Sequence, residues 1–211
     1  MADPMPTTLT IKNGIPGKDS VLVYLTLGAQ SNNAKISDFP YFTPVDGNPY
    51  MGSYSLKDSY TFAGRYMSGN ICFGAQPSCP NEQAPNGTSI FEFTLNPSGD
   101  PPHESIDISC VNGVNSLISV DVTGDGGTFL ANGQVVSFPI YNQGMGYGDN
   151  YGLTGVYPIG CPSCTYANNP PPCPSLTSQQ PQTDPICSLG RTQRGGNISV
   201  TVTSYYTPPS P

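Results

Sequence analysis

Hydrophobic and polar residues alternate along several short segments of the chain, which is the period expected of strands with one buried face. One further segment, Val21–Leu27, is a continuous apolar run of β-branched and aromatic residues, typical of a buried strand. Gly and Pro turn signals separate these segments, and the sequence has no long helical stripe. The pattern therefore predicts an all-β sandwich or barrel. The predicted strands are Thr7–Lys12, Val21–Leu27, Ser89–Leu95, Ser105–Cys110, Asn115–Val122, Gln134–Ile140 and Asn197–Tyr206, with weaker alternation over Tyr60–Phe73.

One part of the chain lacks any such period. Cys161–Cys187 is rich in Pro and Cys and is predicted to be an irregular appendage that cross-links would hold in shape. We therefore expect residues 1–160 and 191–206 to form the β domain and residues 161–190 a Cys/Pro-rich loop region. Residues 207–211 are expected to be a disordered tail.

Charge is sparse and unevenly distributed. Only 10% of the 211 residues are charged, and the formal net charge is −7. No Lys or Arg lies between Arg65 and Arg191, whereas nine of the fourteen acidic residues do. This distribution argues against nucleic acid or an anionic membrane as partner and favours neutral polysaccharide or a basic partner. No apolar run approaches the roughly 18 residues of a membrane span.

Seven cysteines in a lysine-poor chain indicate an oxidising compartment and a secreted protein. The first residues do not resemble a signal peptide, so we expect either a removed leader, another export route or an intracellular protein. Cys161, Cys164, Cys173 and Cys187 could form a four-thiolate zinc site, but their spacing lacks a second close pair and favours disulfides. Because seven is odd, at least one thiol is expected to be free or to pair between chains.

Four carboxylates and the only histidine, His103, are concentrated in Ser89–Asn115. Strand alternation places Glu92 opposite the Phe91 and Phe93 face, and it places Asp107 opposite the face of its flanking isoleucines. If the two strands pair, Glu92 and Asp107 share one exposed surface. Two neighbouring carboxylates would raise one pKa and form a candidate site. The alternative is an ordinary solvated sheet face. His103 lies in a Pro-rich turn and is predicted to be a surface residue.

The same stretch carries a family resemblance. The segments "EFTLN" (Glu92–Asn96) and "IDIS" (Ile106–Ser109), followed by Gly113 and Asn115, resemble the core signature of thaumatin-like proteins. Ala63–Cys79 resembles the segment that leads into a small disulfide loop in that family. Lys18–Leu25 is similar to the laminaripentaose-producing β-1,3-glucanases, which contain a thaumatin-like domain. The resemblance implies a thaumatin-like antiparallel β-sandwich.

The resemblance also implies site residues. Glu92 and Asp107 would be carboxylates of an acidic cleft that binds β-1,3-glucan, and Asn112 stands where a third carboxylate is usual. Because an amide cannot take a proton at neutral pH, Asn112 argues against hydrolysis. Cys72 and Cys79 would close the small disulfide loop. The chain departs from the family in having far fewer cysteines.

Aromatic residues add a second binding signal. Tyr141, Tyr147, Tyr151 and Tyr157 lie in a Gly-rich segment, where their rings could stack on sugars or anchor the loop to the core. The main hypothesis is therefore a polysaccharide-binding protein, defence-type or cell-wall-associated, without efficient catalysis. One alternative is a β-1,3-glucanase that uses Glu92 and Asp107. The other is a structural, storage or self-assembling protein. No cofactor and no metal are expected, because Asp121 and Asp125 fit a hairpin turn better than a calcium loop.

Overall fold

β-branched and aromatic residues at alternate positions form strands along most of the chain, as strand propensity dictates. The computed structural model describes residues 5–28, 34–78, 86–131, 133–142, 153–157 and 187–206. The described part is an all-β sandwich of two sheets with one short 3₁₀ helix, Ile36–Asp38. In chain order the strands are β1 (Thr8–Asn13), β2 (Val21–Leu27), β3 (Thr43–Pro44), β4 (Met51–Leu56), β5 (Ser59–Phe62), β6 (Met67–Phe73), β7 (Ile90–Leu95), β8 (Glu104–Ser109), β9 (Ser116–Thr123), β10 (Leu130–Ala131), β11 (Gln134–Val135), β12 (Ile140–Tyr141), β13 (Val156–Tyr157), β14 (Leu189–Arg191) and β15 (Asn197–Tyr205).

The smaller sheet has five strands in the order β12-β9-β15-β1-β5. Its centre contains a parallel pair, because Thr8 of β1 lies opposite Asn197 of β15 and the two strands run in the same direction. Most other strand pairs are antiparallel, so the predicted antiparallel-rich β-sandwich is confirmed with this pair as an exception. A second parallel pair joins β13 to β8.

The larger sheet has ten strands and contains the two predicted strands of the acidic stretch. Its main path runs β11-β10-β14-β8-β7-β6-β2-β4-β3, with β13 also pairing with β8. Neighbours along β8-β7-β6-β2-β4 are all antiparallel. This arrangement places β7 and β8 well inside the sheet, where both edges of each strand are paired.

The hydrophobic core lies between the two sheets and takes one residue in two from each long strand. Its fully buried side chains include Ile11, Phe62, Val120 and Val200 from the smaller sheet, and Val23, Ile71, Phe91 and Ile106 from the larger. Burying such side chains stabilises each by about 1.5–3 kcal/mol relative to exposure. The core face of β7 and β8 therefore fixes which residues of these strands point away from it.

A buried ion pair joins β14 to β8 within the larger sheet, and Thr7 connects it to the start of β1 in the smaller sheet. Arg191 Nε donates to Glu104 Oε2 at 2.8 Å, and both side chains are almost completely buried. Thr7, which precedes β1, donates its hydroxyl to the same carboxylate oxygen at 2.9 Å and accepts from Arg191 Nη2 at 3.0 Å. The backbone N–H of Asn96 donates to Glu104 Oε1 at 2.7 Å. Glu104 is therefore a buried structural residue, although it lies in the acidic stretch from which a candidate site was predicted.

Most predicted strands are confirmed, and the differences lie where strands are short. The predicted strand Gln134–Ile140 is instead two two-residue strands, β11 and β12, which belong to different sheets. Leu189 and Gly190 pair with β8, so the larger sheet includes the end of the range predicted as Cys/Pro-rich loop. Residues 158–186 and 207–211 lie outside the described residues. Across the described ranges, no helix has the length and apolar character that crossing a membrane requires.

Candidate functional site

A row of polar side chains crosses four neighbouring strands on the outer face of the larger sheet. Glu92 of β7 lies directly opposite Asp107 of β8 on one side and opposite Asn70 of β6 on the other. Asn70 in turn lies opposite Thr26 of β2. Residues opposite each other in register share one face of a sheet. The structure therefore brings the two predicted carboxylates together, and it adds an amide and a hydroxyl that sequence reasoning did not select.

Asn70, Glu92 and Asp107 of this row form the floor of an open cleft of about 650 Å³. Side chains on both sides of the row are small and polar, so hydroxyl groups surround the carboxyl pair. Phe93, Val111 and Tyr157 are the apolar and aromatic residues of the lining. The lining residues are Gly28, Ser68, Gly69, Asn70, Glu92, Phe93, Thr94, Ser105, Asp107, Ser109, Val111 and Tyr157. None of them is basic, so the described lining offers hydrogen bonds without positive charge.

The carboxyl pair is more buried than the sequence suggests. Asp107 is only 8% exposed, and Glu92 is partly buried. The expectation that Asp107 lies on an exposed surface is therefore wrong, because its side chain lies at the bottom of a cleft. Its Oδ1 atom is buried, and no donor in the described part of the chain reaches it. A buried acceptor without a donor costs about 1–3 kcal/mol, which makes this oxygen a point where a ligand could gain affinity.

Burial controls the protonation of the pair. Desolvation raises the pKa of Glu92, while hydrogen bonds from Asp107 and Ser109 act in the opposite direction. Desolvation raises the pKa of Asp107 well above its ordinary value, and the charge and hydrogen bond of Glu92 raise it further. Two carboxylates cannot hydrogen-bond without a proton, because each ionised oxygen only accepts. A hydrogen bond between these groups therefore requires one of them to be protonated.

The same electrostatics act on Tyr157, which lines the cleft from β13. Burial and the negative charges of Asp107, Cys187 and Glu92 together raise the pKa of this phenol to about 12, against a hydrogen bond with Ser188 that lowers it. Tyr157 thus keeps its proton at physiological pH and can donate a hydrogen bond. Its ring also gives the cleft an aromatic surface next to the polar floor.

The other predicted binding residues lie elsewhere. Asn112 is in the turn after β8, where Val111 lines the cleft and Asn112 does not. Tyr141 is on β12 of the smaller sheet, half exposed and away from the cleft lining. The prediction that Tyr141 flanks the acidic face is wrong, because β12 pairs with β9 rather than with a strand of the larger sheet. Tyr147 and Tyr151 lie outside the described residues.

The predicted disulfide at Cys72 is not present. Cys72 is a buried free thiol on β6 and donates to the carbonyl of Ala75 at 3.0 Å. Cys110 is also a buried free thiol, and its sulfur accepts from Asn142 Nδ2 at 3.5 Å. Cys187 is buried just before β14. No disulfide joins two of the cysteines that the structure describes; Cys79, Cys161, Cys164 and Cys173 lie outside the described residues.

The remaining acidic and histidine residues of the stretch do not join the site. Asp100 and His103 are exposed in the connection between β7 and β8. Within the described ranges, no group of three or more His, Cys, Asp or Glu side chains is placed to hold a metal ion. The candidate site is therefore the carboxyl pair with its amide and hydroxyl neighbours.

The spacing of the pair bears on the hydrolase alternative. Retaining glycosidases hold their two carboxyl groups about 5–5.5 Å apart and inverting enzymes about 6.5–9.5 Å apart. Glu92 and Asp107 lie directly opposite each other, a position in which Cβ atoms are about 4.5–5.5 Å apart. An activity assay, rather than the spacing of the strands, therefore decides between binding and hydrolysis.

No protein-family model and no curated protein matches the chain. The geometry of the cleft therefore carries the functional argument.

Proposed function

We propose that the protein is a thaumatin-like polysaccharide-binding protein that holds a neutral glucan, of the β-1,3 type, in the cleft of the larger sheet without hydrolysing it. The observation that carries this proposal is the polar floor, in which Asn70, Glu92 and Asp107 lie side by side in an open cleft. Sugars present many hydroxyl groups, each able to donate and accept, and this floor offers both kinds of partner.

The electrostatics of the cleft narrow the ligand class. Its described lining contains acidic, amide and hydroxyl groups but no Lys or Arg. An anionic polysaccharide such as a uronate or sulfated glycan would be repelled by the carboxyl pair. The carboxyl pair does not repel a neutral glucan. The C–H faces of the sugar rings can also pack on the aromatic ring of Tyr157.

The experiment is retention on insoluble β-1,3-glucan, with xylan, cellulose and polygalacturonate as competing matrices. The wild type is expected to bind the β-1,3-glucan and to ignore polygalacturonate. Glu92→Ala and Asn70→Ala should each weaken binding about tenfold, the effect of losing one or two hydrogen bonds to the ligand. Asp121→Asn is the matched control, because Asp121 is an exposed acid on β9 of the other sheet. Equal retention of the wild type and a Glu92→Ala/Asn70→Ala double variant would refute the proposal.

A reducing-sugar assay on laminarin separates binding from hydrolysis. The proposal expects no release of sugar above the level of heat-denatured protein. Release that disappears in Glu92→Gln would instead assign the cleft to an enzyme, with Glu92 as the acid.

A further inference from the structure

Glu92 and Asp107 lie directly opposite each other, so their carboxyl groups repel each other when both are ionised. Side chains directly opposite in an antiparallel pair have Cβ atoms about 4.5–5.5 Å apart. Two ionised carboxylates at that separation repel each other, and burial at the floor of the cleft strengthens the repulsion because water screens it less. A positive charge or a proton must therefore accompany the pair.

Among the described residues that surround the pair, no side chain carries a positive charge. Side chains from five elements surround the carboxyl pair on this face of the sheet. They are Thr26 and Tyr24 of β2, Asn70 and Cys72 of β6, Ser109 of β8, Tyr157 of β13, and Cys187 before β14. The titratable groups among them are phenols and thiols, which are neutral at physiological pH. In the sequence, residues 66–190 contain no Lys or Arg at all. The proton is then the simplest counter-charge.

We propose that Glu92 and Asp107 hold one proton between them and act as a single donor–acceptor unit for two adjacent hydroxyl groups of a neutral sugar. This inference rests on the proposed function for its ligand but not for the proton itself. The protonated carboxyl donates to one hydroxyl oxygen, and the ionised carboxyl accepts from the neighbouring hydroxyl. The orphan Oδ1 of Asp107 gains a hydrogen-bond partner in the complex.

The direction of the pKa shifts agrees with this geometry. Burial raises the pKa of both carboxyl groups, and the proximity of Glu92 raises that of Asp107 further. In the unfolded chain both groups ionise near pH 4. Between that pH and the raised folded value, the folded protein binds more protons than the unfolded chain, so its stability falls as pH rises.

The Asp107→Asn variant separates proton sharing from other sources of pH dependence. The amide is nearly isosteric with a protonated carboxyl and donates to Glu92 without titrating. Asp107→Asn should therefore remove the repulsion at high pH and keep the donor–acceptor unit. Asp121→Asn, which removes an exposed acid from the smaller sheet, is the control for the change in net charge.

The first measurement needs no ligand. Thermal unfolding of the wild type, Asp107→Asn and Asp121→Asn is followed from pH 4 to pH 10. The Tm of Asp107→Asn is expected to rise relative to the wild type as pH increases, whereas Asp121→Asn should run parallel to the wild type. Parallel curves for the wild type and Asp107→Asn would overturn the proposal. A second result would also overturn it: added Ca²⁺ at pH 8 raises the Tm of the wild type but leaves the Tm of Asp107→Asn unchanged. A cation, rather than a proton, would then neutralise the pair.

The second measurement uses laminarin oligosaccharide in calorimetric titrations at pH 5, 7 and 9.5. Wild-type affinity should fall about tenfold once the proton leaves, because a donor is lost, while Asp107→Asn keeps its affinity. A pH-dependent Tm without any sugar binding would leave the shared proton standing and refute the proposed function. Sugar binding whose affinity is the same at all three pH values in the wild type would refute the shared donor–acceptor unit and leave the function intact.

Discussion

Replacing Arg191 with methionine tests how much the buried ion pair with Glu104 stabilises the fold. In the wild type the guanidinium donates to Glu104 at 2.8 Å, to the carbonyl of Gly195 at 2.8 Å and to that of Gly127 at 2.9 Å. It also lies 4.5 Å from the ring centroid of Phe129. Methionine preserves much of the volume and removes all of these donors. Glu104 is then left as a buried carboxylate without a charged partner.

The expected cost follows from burial. The Arg191 and Glu104 side chains are 1% and 0% exposed, so water cannot replace the missing partner. Breaking such a pair on one side costs about 3–5 kcal/mol. For a domain of this size 1 kcal/mol shifts Tm by about 2–4 °C. We expect Arg191→Met to lower Tm by about 6–20 °C, measured by calorimetry at pH 7.

The chain contains its own control for this prediction. Arg65 and Asp38 form an ion pair at 3.5 Å whose side chains are 40% and 42% exposed. Exposed pairs contribute about 0–1 kcal/mol, so Arg65→Met should lower Tm by only a few degrees. An Arg191→Met/Glu104→Gln double variant should lose less than the sum of the single variants, because neither buried charge is left alone. Equal losses in Arg191→Met and Arg65→Met would refute the reasoning.

Two further predictions concern buried positions near the cleft. Burial raises the pKa of the Cys72 thiol, and it raises that of Cys110 to about 12, so iodoacetamide at pH 8 should label neither in the folded protein. Unfolding without reductant should expose both thiols to labelling, which peptide mass spectrometry measures. If Cys72 is labelled only after reductant is added, it forms a disulfide, and the free thiol is contradicted. Gly69→Ala would place a Cβ 2.0 Å from the carbonyl oxygen of Thr26 and should cost about 1–3 kcal/mol or more by thermal unfolding. Gly190→Ala is its control, since the nearest atom would be 3.8 Å away, and an equal loss in both variants would contradict the argument.

Local alternation was enough to predict the orientation of the two carboxyl groups. Phe91 and Phe93 must be buried, so Glu92 between them must point the other way, and the same phase applies to Asp107. The same rule also identifies Glu104, which lies two residues before Ile106 and therefore on the core face. Its partner could not be predicted, because Arg191 is 87 positions away.

The depth of the cleft depends on contacts between distant segments, which alternation does not encode. Tyr157 reaches the cleft because the two-residue strand β13 pairs in parallel with β8, and so short a strand has no pattern of its own. Tyr141 has the same residue type and a similar sequence context, yet β12 carries it to the other sheet. Sequence reasoning therefore predicted the centre of the candidate site but not which aromatic residues accompany it.

The placement of β15 has a consequence for how the protein is made. β15 fills the position between β1 and β9, and the paired residues Thr8 and Asn197 are 189 positions apart. During translation, β1 leaves the ribosome 189 residues before this neighbour and cannot pair with it in that interval. Until then β1 and β9 each present an open edge that could pair with another nascent chain. Long-range pairing of this kind also slows folding, so these edges stay open longer than the edges of strands that are neighbours in sequence.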